Sequence, residues 1–368
     1  MAEKYLVSES IDLHSQPFVY VEEKDAVWVA GKDASSYLQG QLTKDVTKIL
    51  PGEGAEALLL EPKGDVTCLV SVKKTTENSF LLSVEKGFGP ILLERLKKFK
   101  IRVKAGLISD VALSFLVFNA DHKRDFSELC DAHVSYINNY LASMARNSQF
   151  VVAGDSEVKT YITRSAIWRD MGAYEIILPG FTADAISGHG FQLPQSIKEF
   201  MTKQVFIERE RYDFLRICFG IPKMGVEIKN KVLPPSLGIG DVVIDYNKGC
   251  YTGQELVARL DARGNNTPLV LRAVVYDQGE IAPTDTAVPK LYPEASLLFG
   301  NISGGTLTSV ACMANIEVGI AFIKREFAFQ PLATVSFISD IKDSPANDLQ
   351  VSVHQPPLRD IARGVLNN

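Results

Sequence analysis

The chain has 368 residues, of which 46% are hydrophobic and 23% are charged, and its formal net charge is −5. This length is too great for one typical core and predicts two or three domains, while the composition is that of a soluble globular protein. The negative net charge argues against direct binding to nucleic-acid phosphates. No apolar run approaches the roughly 18 residues that a membrane helix needs, so we expect no membrane partner.

The N-terminal stretch 1–15 lacks the apolar segment of a signal peptide, so we expect a cytoplasmic protein. The five cysteines are far apart and form no C-x-x-C pair: Cys68, Cys130, Cys218, Cys250 and Cys312. This spacing predicts reduced thiols, and neither a structural zinc site nor a resident iron–sulfur cluster. The five histidines also lack metal-ligand spacing, so no metal is expected.

The first part of the chain mixes strands with helices. Residues 18–30 predict two short strands around an acidic turn, and 57–60 with 66–72 predict a hairpin, followed by a third strand at 80–84. Apolar residues at helical spacing then run from Phe88 to Phe99. We interpret the basic residues near that helix end as a solvated face that complements the helix dipole, rather than as a nucleic-acid patch: Lys97, Lys98, Lys100, Arg102 and Lys104.

The next segments predict a strand at 111–118, a helix at 126–140, a strand pair at 159–163 and 174–178, and a strand at 242–245. Strands and helices do not alternate regularly, which favours the α+β class. After residue 265 the pattern changes to six strand candidates, which predict a small antiparallel barrel or sandwich: 269–275, 296–299, 306–311, 319–323, 333–337 and 349–353. We therefore predict one region at 1–265 and a C-terminal domain at 266–368.

The segment from Lys248 to Glu255 carries the strongest chemical pattern. Gly249 and Gly253 give the backbone freedom that a tight approach needs. Thr252 and Glu255 have the spacing of a capping box, which predicts a helix with Thr252 as its N-cap. The helix dipole and Lys248 would then favour the thiolate of Cys250. From the residues alone, Cys250 is either a reactive group on a loop or a buried small residue in an ordinary capped turn.

This segment resembles the K-G-C-[FY]-x-G-Q-E signature of YgfZ-type folate-binding proteins, which are relatives of the glycine cleavage T protein, an aminomethyltransferase. The segment from Tyr37 to Val46 resembles a second signature of that family, Y-L-Q-G-Q-x-T-x-D. The resemblance implies a multidomain arrangement around a central channel that binds tetrahydrofolate. It also implies two interleaved subdomains within 1–265 and a C-terminal antiparallel β-barrel.

The resemblance also implies site residues. Cys250 and Lys248 become the candidate catalytic residues, and Glu175, Arg216, Tyr251 and Gln254 the candidate folate contacts. Glu175 lies in a segment similar to the T protein's G-x-x-E-[IL], whose glutamate binds the pteridine ring; the alternative is an exposed charge on a strand. Arg216 lies in a segment similar to L-R-x-E-x-G-[IL]-P, and the alternative is a cation that pins the helix. Cys218 stands where that segment usually has glutamate.

The T protein also carries a catalytic aspartate in a segment that corresponds here to 63–68. Thr67 and Cys68 occupy the positions of the paired carboxylates, and neither side chain can act as an ionised base. This loss favours the YgfZ type, which implies a tetrahydrofolate-binding protein that supports assembly or repair of iron–sulfur clusters in other enzymes, some of which modify tRNA. Its partners would be those enzymes or their assembly factors. The alternatives are a folate-dependent aminomethyltransferase and a scaffold that has lost ligand binding, with Phe219 blocking the channel.

Overall fold

A computed structural model describes residues 17–118, 159–186, 193–202, 204–229, 231–277, 291–336 and 349–366. The chain divides into two compact units. The first unit comprises Met1–Ile207 and Asp241–Leu256, and the second comprises Glu208–Gly240 and Val257–Asn368. The domain boundary at 265/266 stays a prediction, and the helix predicted at 126–140 lies outside the described residues.

The first unit is built on an eight-stranded sheet with the order β2-β3-β4-β1-β5-β7-β6, in which β8 pairs with β1. Every pairing is antiparallel except that of β8, which is parallel. The strands are β1 (Phe18–Ala30), β2 (Gly54–Leu60), β3 (Val66–Thr76), β4 (Ser79–Glu85), β5 (Gly106–Phe118), β6 (Tyr161–Arg164), β7 (Tyr174–Pro179) and β8 (Val205–Phe206).

The acidic turn predicted within residues 18–30 is wrong, because β1 is one continuous strand. Every residue of β1 pairs with β5, from Phe18 opposite Phe118 to Ala30 opposite Gly106. The charged residues in its middle are only partly buried, and Lys24 forms ion pairs with Glu22 and Glu175. Paired backbone and paired charges therefore override the turn propensity of the acidic run.

The sheet curls until its two outer strands approach each other. Glu56 on β2 accepts hydrogen bonds from the Ser165 hydroxyl at 2.8 Å and from the Ala166 N–H at 3.1 Å, both just beyond β6. Gly54 on β2 lies so near Thr163 that a Cβ there would be 3.0 Å from its methyl group. On β3, Val66, Cys68, Val70 and Val72 are buried on one face, as predicted. These contacts leave neither outer strand of the sheet without cover.

The helices are short, and one of them corrects a prediction. The strand predicted at 242–245 is wrong, because Gly240–Val243 forms a helical turn. Thr43 binds the residues at its end: the Thr43 hydroxyl donates to the Val243 carbonyl, and the Asp245 N–H donates to the Thr43 carbonyl. No helix in the described ranges is both long and apolar enough to cross a bilayer. The helices are α1 (Ala34–Gln39), α2 (Gly89–Lys98), α3 (Gln195–Met201), α4 (Arg209–Cys218), α5 (Gly240–Val243), α6 (Gln254–Asp261) and α7 (Arg359–Leu366).

The second unit contains the predicted antiparallel barrel. Its six strands close in the order β10-β11-β12-β9-β14-β13, and each coincides with one of the predicted segments. Its core holds inward-facing apolar residues from several strands, such as Val274, Leu307 and Ile323. Alternating apolar positions are what a closed barrel requires. The strands are β9 (Leu269–Asp277), β10 (Ser296–Phe299), β11 (Ile302–Met313), β12 (Ile316–Lys324), β13 (Leu332–Ser336) and β14 (Leu349–His354).

Candidate functional site

Lys248 joins the two signature segments of the first unit. Its ammonium donates to the backbone carbonyls of Gln39 at 2.8 Å, Leu42 at 2.6 Å and Lys44 at 2.8 Å. An ammonium has three donor hydrogens, so these three acceptors use all of them. A side chain of the second signature therefore fixes the backbone of the first, more than 200 residues earlier in the chain.

Neighbouring residues strengthen this junction, which we call the interlock (residues 39–45 with 243–254). The Asp245 carboxylate accepts from the Lys44 ammonium and from the Asp45 N–H, both at 2.8 Å. The Thr252 N–H donates to the Gly40 carbonyl at 3.0 Å. Backbone groups that would otherwise be buried without partners are thereby satisfied.

The ammonium group of Lys248 lies in a buried environment. The residue is only 7% exposed, and its ammonium lies 5.0 Å from the centre of the Tyr251 ring. Burial lowers the pKa of Lys248 to about 8, although the charges of Asp45 and Asp245 oppose that shift. These contacts make Lys248 a positioning residue for the loop, and its catalytic role stays a prediction.

Cys250 is exposed on the loop that Lys248 anchors. The residue before it, Gly249, is also exposed, and a Cβ there would meet nothing within 4 Å. The interpretation of Cys250 as a buried small residue is therefore wrong. The Cys250 thiol is therefore exposed, and the neighbouring loop backbone is held by the hydrogen bonds of Lys248.

The predicted N-cap at Thr252 is wrong, because α6 begins at Gln254. The Thr252 hydroxyl donates to the Gly40 carbonyl at 3.4 Å, so it serves the interlock rather than the helix. Gln254 instead organises the loop end, since its Oε1 accepts from the Tyr251 N–H at 3.2 Å. Tyr251 is buried, and the roles of Tyr251 and Gln254 as folate contacts stay predictions. The thiolate state of Cys250 also stays a prediction.

The turn between β2 and β3 packs closely against the loop that carries Cys250 and the start of α6. Gly253 has φ of +85°, and a Cβ there would lie 2.6 Å from the Glu61 carbonyl oxygen. Gly64 has φ of +91°, and its Cβ would lie 2.7 Å from the Leu256 side chain. The close approach predicted for Gly253 is therefore confirmed, and only glycine fits at either position.

This turn also places a carboxylate that the sequence comparison missed. Thr67 donates to the Glu61 carboxylate at 3.1 Å, and the Arg95 Nε lies 3.5 Å from the same oxygen. The Glu61 side chain is 42% exposed. Cys68 is buried, and burial raises the pKa of its thiol to about 12. The Glu61 carboxylate therefore lies beside Thr67 and Cys68, the two positions that lack the carboxylates of the T protein. In the sequence, Glu61 stands next to Pro62 and near Gly64, so its pattern indicates only a turn.

Glu175 lies on β7 and is buried, so the alternative of an exposed charge is wrong. Its carboxylate accepts from the Lys73 ammonium at 2.6 Å and the Ser114 hydroxyl at 2.8 Å, and it lies 3.0 Å from the Lys24 ammonium. A longer contact of 3.5 Å comes from the Ser71 hydroxyl. Burial alone would raise the pKa of Glu175, but the two lysines outweigh it and hold the pKa far below its ordinary value.

A carboxylate offers about four acceptor positions, and the four neighbours of Glu175 fill them. A pteridine could reach Glu175 only by displacing one of these donors. Lys24 is the more accessible of the two lysines, with a side chain 18% exposed against 1% for Lys73. The folate role of Glu175 stays a prediction with that condition attached.

Arg216 belongs to a buried network of the second unit. Its guanidinium donates to Asp213 at 2.6 Å and to the Ser309 hydroxyl at 2.9 Å, and it lies 3.6 Å from Glu227. Glu227, which the sequence reading passed over, is fully buried and also accepts from Thr308 and Ser309. These contacts fit the alternative of a cation that pins α4 to the barrel, while the folate role of Arg216 stays a prediction.

The described residues contain no group of three or more His, Cys, Asp or Glu side chains arranged to hold a metal ion. The candidate groups described above are the exposed Cys250 thiol, the partly exposed Glu61 carboxylate and the buried ion-pair networks of Glu175 and Arg216.

Comparison with known proteins shows which proteins the chain resembles. No family model matches the chain. The chain is 26% identical to the tRNA-modifying protein YgfZ of Enterobacter sp. (strain 638), over 74% of this chain and 73% of the relative. It is 23% identical to the mitochondrial iron-sulfur cluster assembly factor IBA57 homolog of Coccidioides immitis, over 81% of this chain and 66% of the relative. It is also 25% identical to an uncharacterized protein of Haemophilus influenzae, over 72% and 75%.

Among solved structures, the fold matches the glycine cleavage system aminomethyltransferase T of Bartonella henselae with a TM-score of 0.66. The match covers 94% of this chain and 88% of that one at 16% identity. The fold is therefore that of the T proteins. In sequence, the chain is similar to YgfZ proteins and to an IBA57 homolog at 23–26% identity over 67–81% of its length.

Proposed function

We propose that the protein binds tetrahydrofolate and supports the assembly or repair of iron–sulfur clusters in other enzymes, with Cys250 as its reactive group. The observation that carries the proposal is the exposed Cys250 thiol on a loop fixed by three hydrogen bonds from Lys248. Relatives named as a tRNA-modifying protein and as an iron-sulfur cluster assembly factor support it. A thiol is suited to transient bonding to iron or to a partner's sulfur.

The test of the cysteine uses cells that lack their own YgfZ-type protein and carry this chain on a plasmid. The readouts are the activity of an iron–sulfur enzyme and the level of a tRNA modification that depends on one. We expect Cys250→Ala to abolish rescue while the protein level stays unchanged. Full rescue by Cys250→Ala would overturn the role of this thiol. Cys312→Ala, which removes a partly exposed thiol of the second unit, is the matched control.

The folate part of the proposal rests on the fold and on candidate contacts at Glu175, Arg216, Tyr251 and Gln254. Calorimetric titration with 5-formyltetrahydrofolate tests it, and we expect binding in the micromolar range, about −8 kcal/mol. If a pteridine displaces Lys24 from Glu175, Lys24→Met will bind folate more tightly and Glu175→Gln more weakly. Absence of binding by the folded wild-type protein would remove the folate claim and leave the cysteine claim standing.

Glu61 gives a specific reason to keep the aminomethyltransferase as the second candidate. It supplies a half-exposed carboxylate beside Thr67, next to the position where T proteins are expected to carry their catalytic aspartate. The test measures formation of methylenetetrahydrofolate from an aminomethylated carrier protein. Turnover that is lost in Glu61→Gln would favour this candidate. No turnover above the uncatalysed rate would exclude it.

A further inference from the structure

A cluster of cations lies in the first unit around the end of α2, and we call it the basic surface. Ile101 lies between Lys100 and Arg102 in the sequence and is 75% exposed. Five of the six cations are exposed and one is half-buried. Within the described residues, none of the six makes an ion pair or a side-chain hydrogen bond. The basic surface consists of Lys32, Lys97, Lys98, Lys100, Arg102 and Lys104.

The backbone of the basic surface is held firmly. The Lys104 N–H donates to the Asp33 carboxylate at 2.7 Å, and the Asp33 N–H donates to the Lys104 carbonyl at 3.4 Å. These bonds bring Lys32 next to Lys104. Arg102 has φ of +57°, a left-handed conformation that costs a non-glycine residue of order 1 kcal/mol or more. These hydrogen bonds therefore constrain the backbone positions from which the cationic side chains extend.

The helix dipole accounts for only part of this charge. Lys97 and Lys98 lie in the last turn of α2, where cations are stabilised by the carbonyl end of the helix. The effect fades within one turn, so it does not reach Lys32, Arg102 or Lys104. The Asp33 carboxylate accepts a backbone N–H and keeps its negative charge, so it offsets one of the six cations, whereas Glu77 pairs with Lys74. The surplus positive charge stands on a chain whose net charge is −5.

We propose that the basic surface docks an acidic segment of a partner protein, and that this segment carries an aliphatic residue for Ile101. Charge complementarity selects an acidic partner. Ile101, which is 75% exposed between two of the cations in the sequence, gains free energy from burial against an apolar group, which a phosphate backbone does not offer.

Two further features favour a protein over a nucleic acid. Single strands bind by stacking bases on aromatic rings. Phe99, the aromatic ring in this region, already has the Arg95 guanidinium 3.9 Å from its centre and the Lys98 ammonium at 5.8 Å. Arg102 is the one arginine among the six cations, whereas nucleic-acid recognition favours the bidentate guanidinium. This proposal rests on neither Cys250 nor folate.

The experiment measures fluorescence anisotropy of a short labelled peptide of glutamates and aspartates with one central leucine. Lys100→Glu/Lys104→Glu should weaken its binding at least about tenfold, since reversed charges repel it. Ile101→Ser should weaken binding of this peptide but not of a version with serine in place of leucine. The matched control is Lys229→Glu/Lys231→Glu, which makes the same charge change at exposed lysines of the second unit and should leave binding within about twofold.

Either of two results would overturn the proposal. The first is equal peptide affinity of the wild type and Lys100→Glu/Lys104→Glu, with circular dichroism and melting temperature unchanged. The second is binding of a labelled single-stranded RNA that depends on Lys100 and Lys104 while the acidic peptide does not bind, which would assign the surface to nucleic acid.

Discussion

Lys248 and Glu175 are both buried, charged side chains of the first unit, but their surroundings differ in kind. Lys248 binds three neutral carbonyls and fixes a loop whose next residues, Gly249 and Cys250, are exposed. Glu175 is enclosed by two lysines and two serines that use all its acceptor positions. The first arrangement leaves the side chain of Cys250 exposed, whereas the second leaves no acceptor position of Glu175 unused. The contacts of Glu175 with Lys24, Lys73 and Ser114 therefore hold neighbouring strands of the curled sheet together.

The largest effect should come from Glu175→Ala, because it leaves Lys73 buried without its carboxylate. We expect the free energy of unfolding to fall by about 3–5 kcal/mol, measured by urea denaturation. Glu175→Leu/Lys73→Met removes both charges and should cost much less. A loss below about 1 kcal/mol in the single variant would mean that Glu175 is not a structural ion-pair partner.

The same network predicts a pH dependence. The folded pKa of Glu175 lies below its unfolded value, so its contribution to stability is complete above that unfolded value and is lost as the pH falls. The stability difference between the wild type and Glu175→Gln should therefore shrink below about pH 4.3. Urea denaturation between neutral pH and pH 3 measures it, and a constant difference would contradict the ion pair.

Lys248→Met should have the next largest effect, since three carbonyls lose their donor. We expect a loss on the order of 2–4 kcal/mol in the free energy of unfolding. Lys44→Met is the matched control in the same interlock, because Lys44 is half-exposed and its ion pair with Asp245 contributes less than about 1 kcal/mol. Equal losses in the two variants would show that the carbonyl contacts of Lys248 carry no special weight.

Gly253→Ala and Gly249→Ala test the rigid and the open part of the loop. Alanine at 253 meets the Glu61 carbonyl at 2.6 Å with φ of +85°, so we expect a loss of about 1–3 kcal/mol. Alanine at 249 meets nothing within 4 Å and should change stability by less than about 0.5 kcal/mol. Thermal denaturation measures both, and a costly Gly249→Ala would contradict the open space beside Cys250.

The smallest effect on stability should come from Cys250→Ala, below about 0.5 kcal/mol, because the side chain is exposed. Its effect on thiol labelling should be large. Among the cysteines that the structure describes, an alkylating reagent should modify Cys250 first, since burial raises the pKa values of Cys68, Cys218 and the partly exposed Cys312. Mass spectrometry of the native protein identifies the labelled residue, and labelling of Cys68 before Cys250 would contradict the placement of the loop.

The barrel strands and both signature segments could be recognised in the sequence because each depends on residues that are close together along the chain. Alternating apolar positions set the six strands of the barrel, and a contiguous run of residues identifies the Lys248–Glu255 segment. The partners of Lys248 could not be predicted, because they are backbone carbonyls and a carbonyl leaves no mark in the residue type. The start of α6 was misplaced for the same reason, since the Gly40 carbonyl competes for Thr252.

Long-range charge pairs explain the other differences. The acidic run in β1 resembles a turn until Lys24 meets Glu175 about 150 residues away. Glu61 and Glu227 carry no motif of their own, and only tertiary contacts place Glu61 beside Thr67 and Glu227 beneath Arg216. The residue type shows that such a side chain is charged, but only the tertiary structure determines which other charged group it contacts.

The order of the two units along the chain has a consequence for biosynthesis. Lys248 bonds to residues that are synthesised 204 to 209 positions earlier, and the intervening segment Glu208–Gly240 belongs to the second unit. At elongation rates of about 5–20 residues per second, the ribosome needs roughly 10–40 s to synthesise the roughly 200 residues between Lys44 and Lys248. Lys248 is not yet available during this interval to donate to the carbonyls of Gln39, Leu42 and Lys44. The loop that presents Cys250 is thus among the last parts of the first unit to form, so this exposed thiol is added to the nascent chain only after the surrounding sheet has been synthesised.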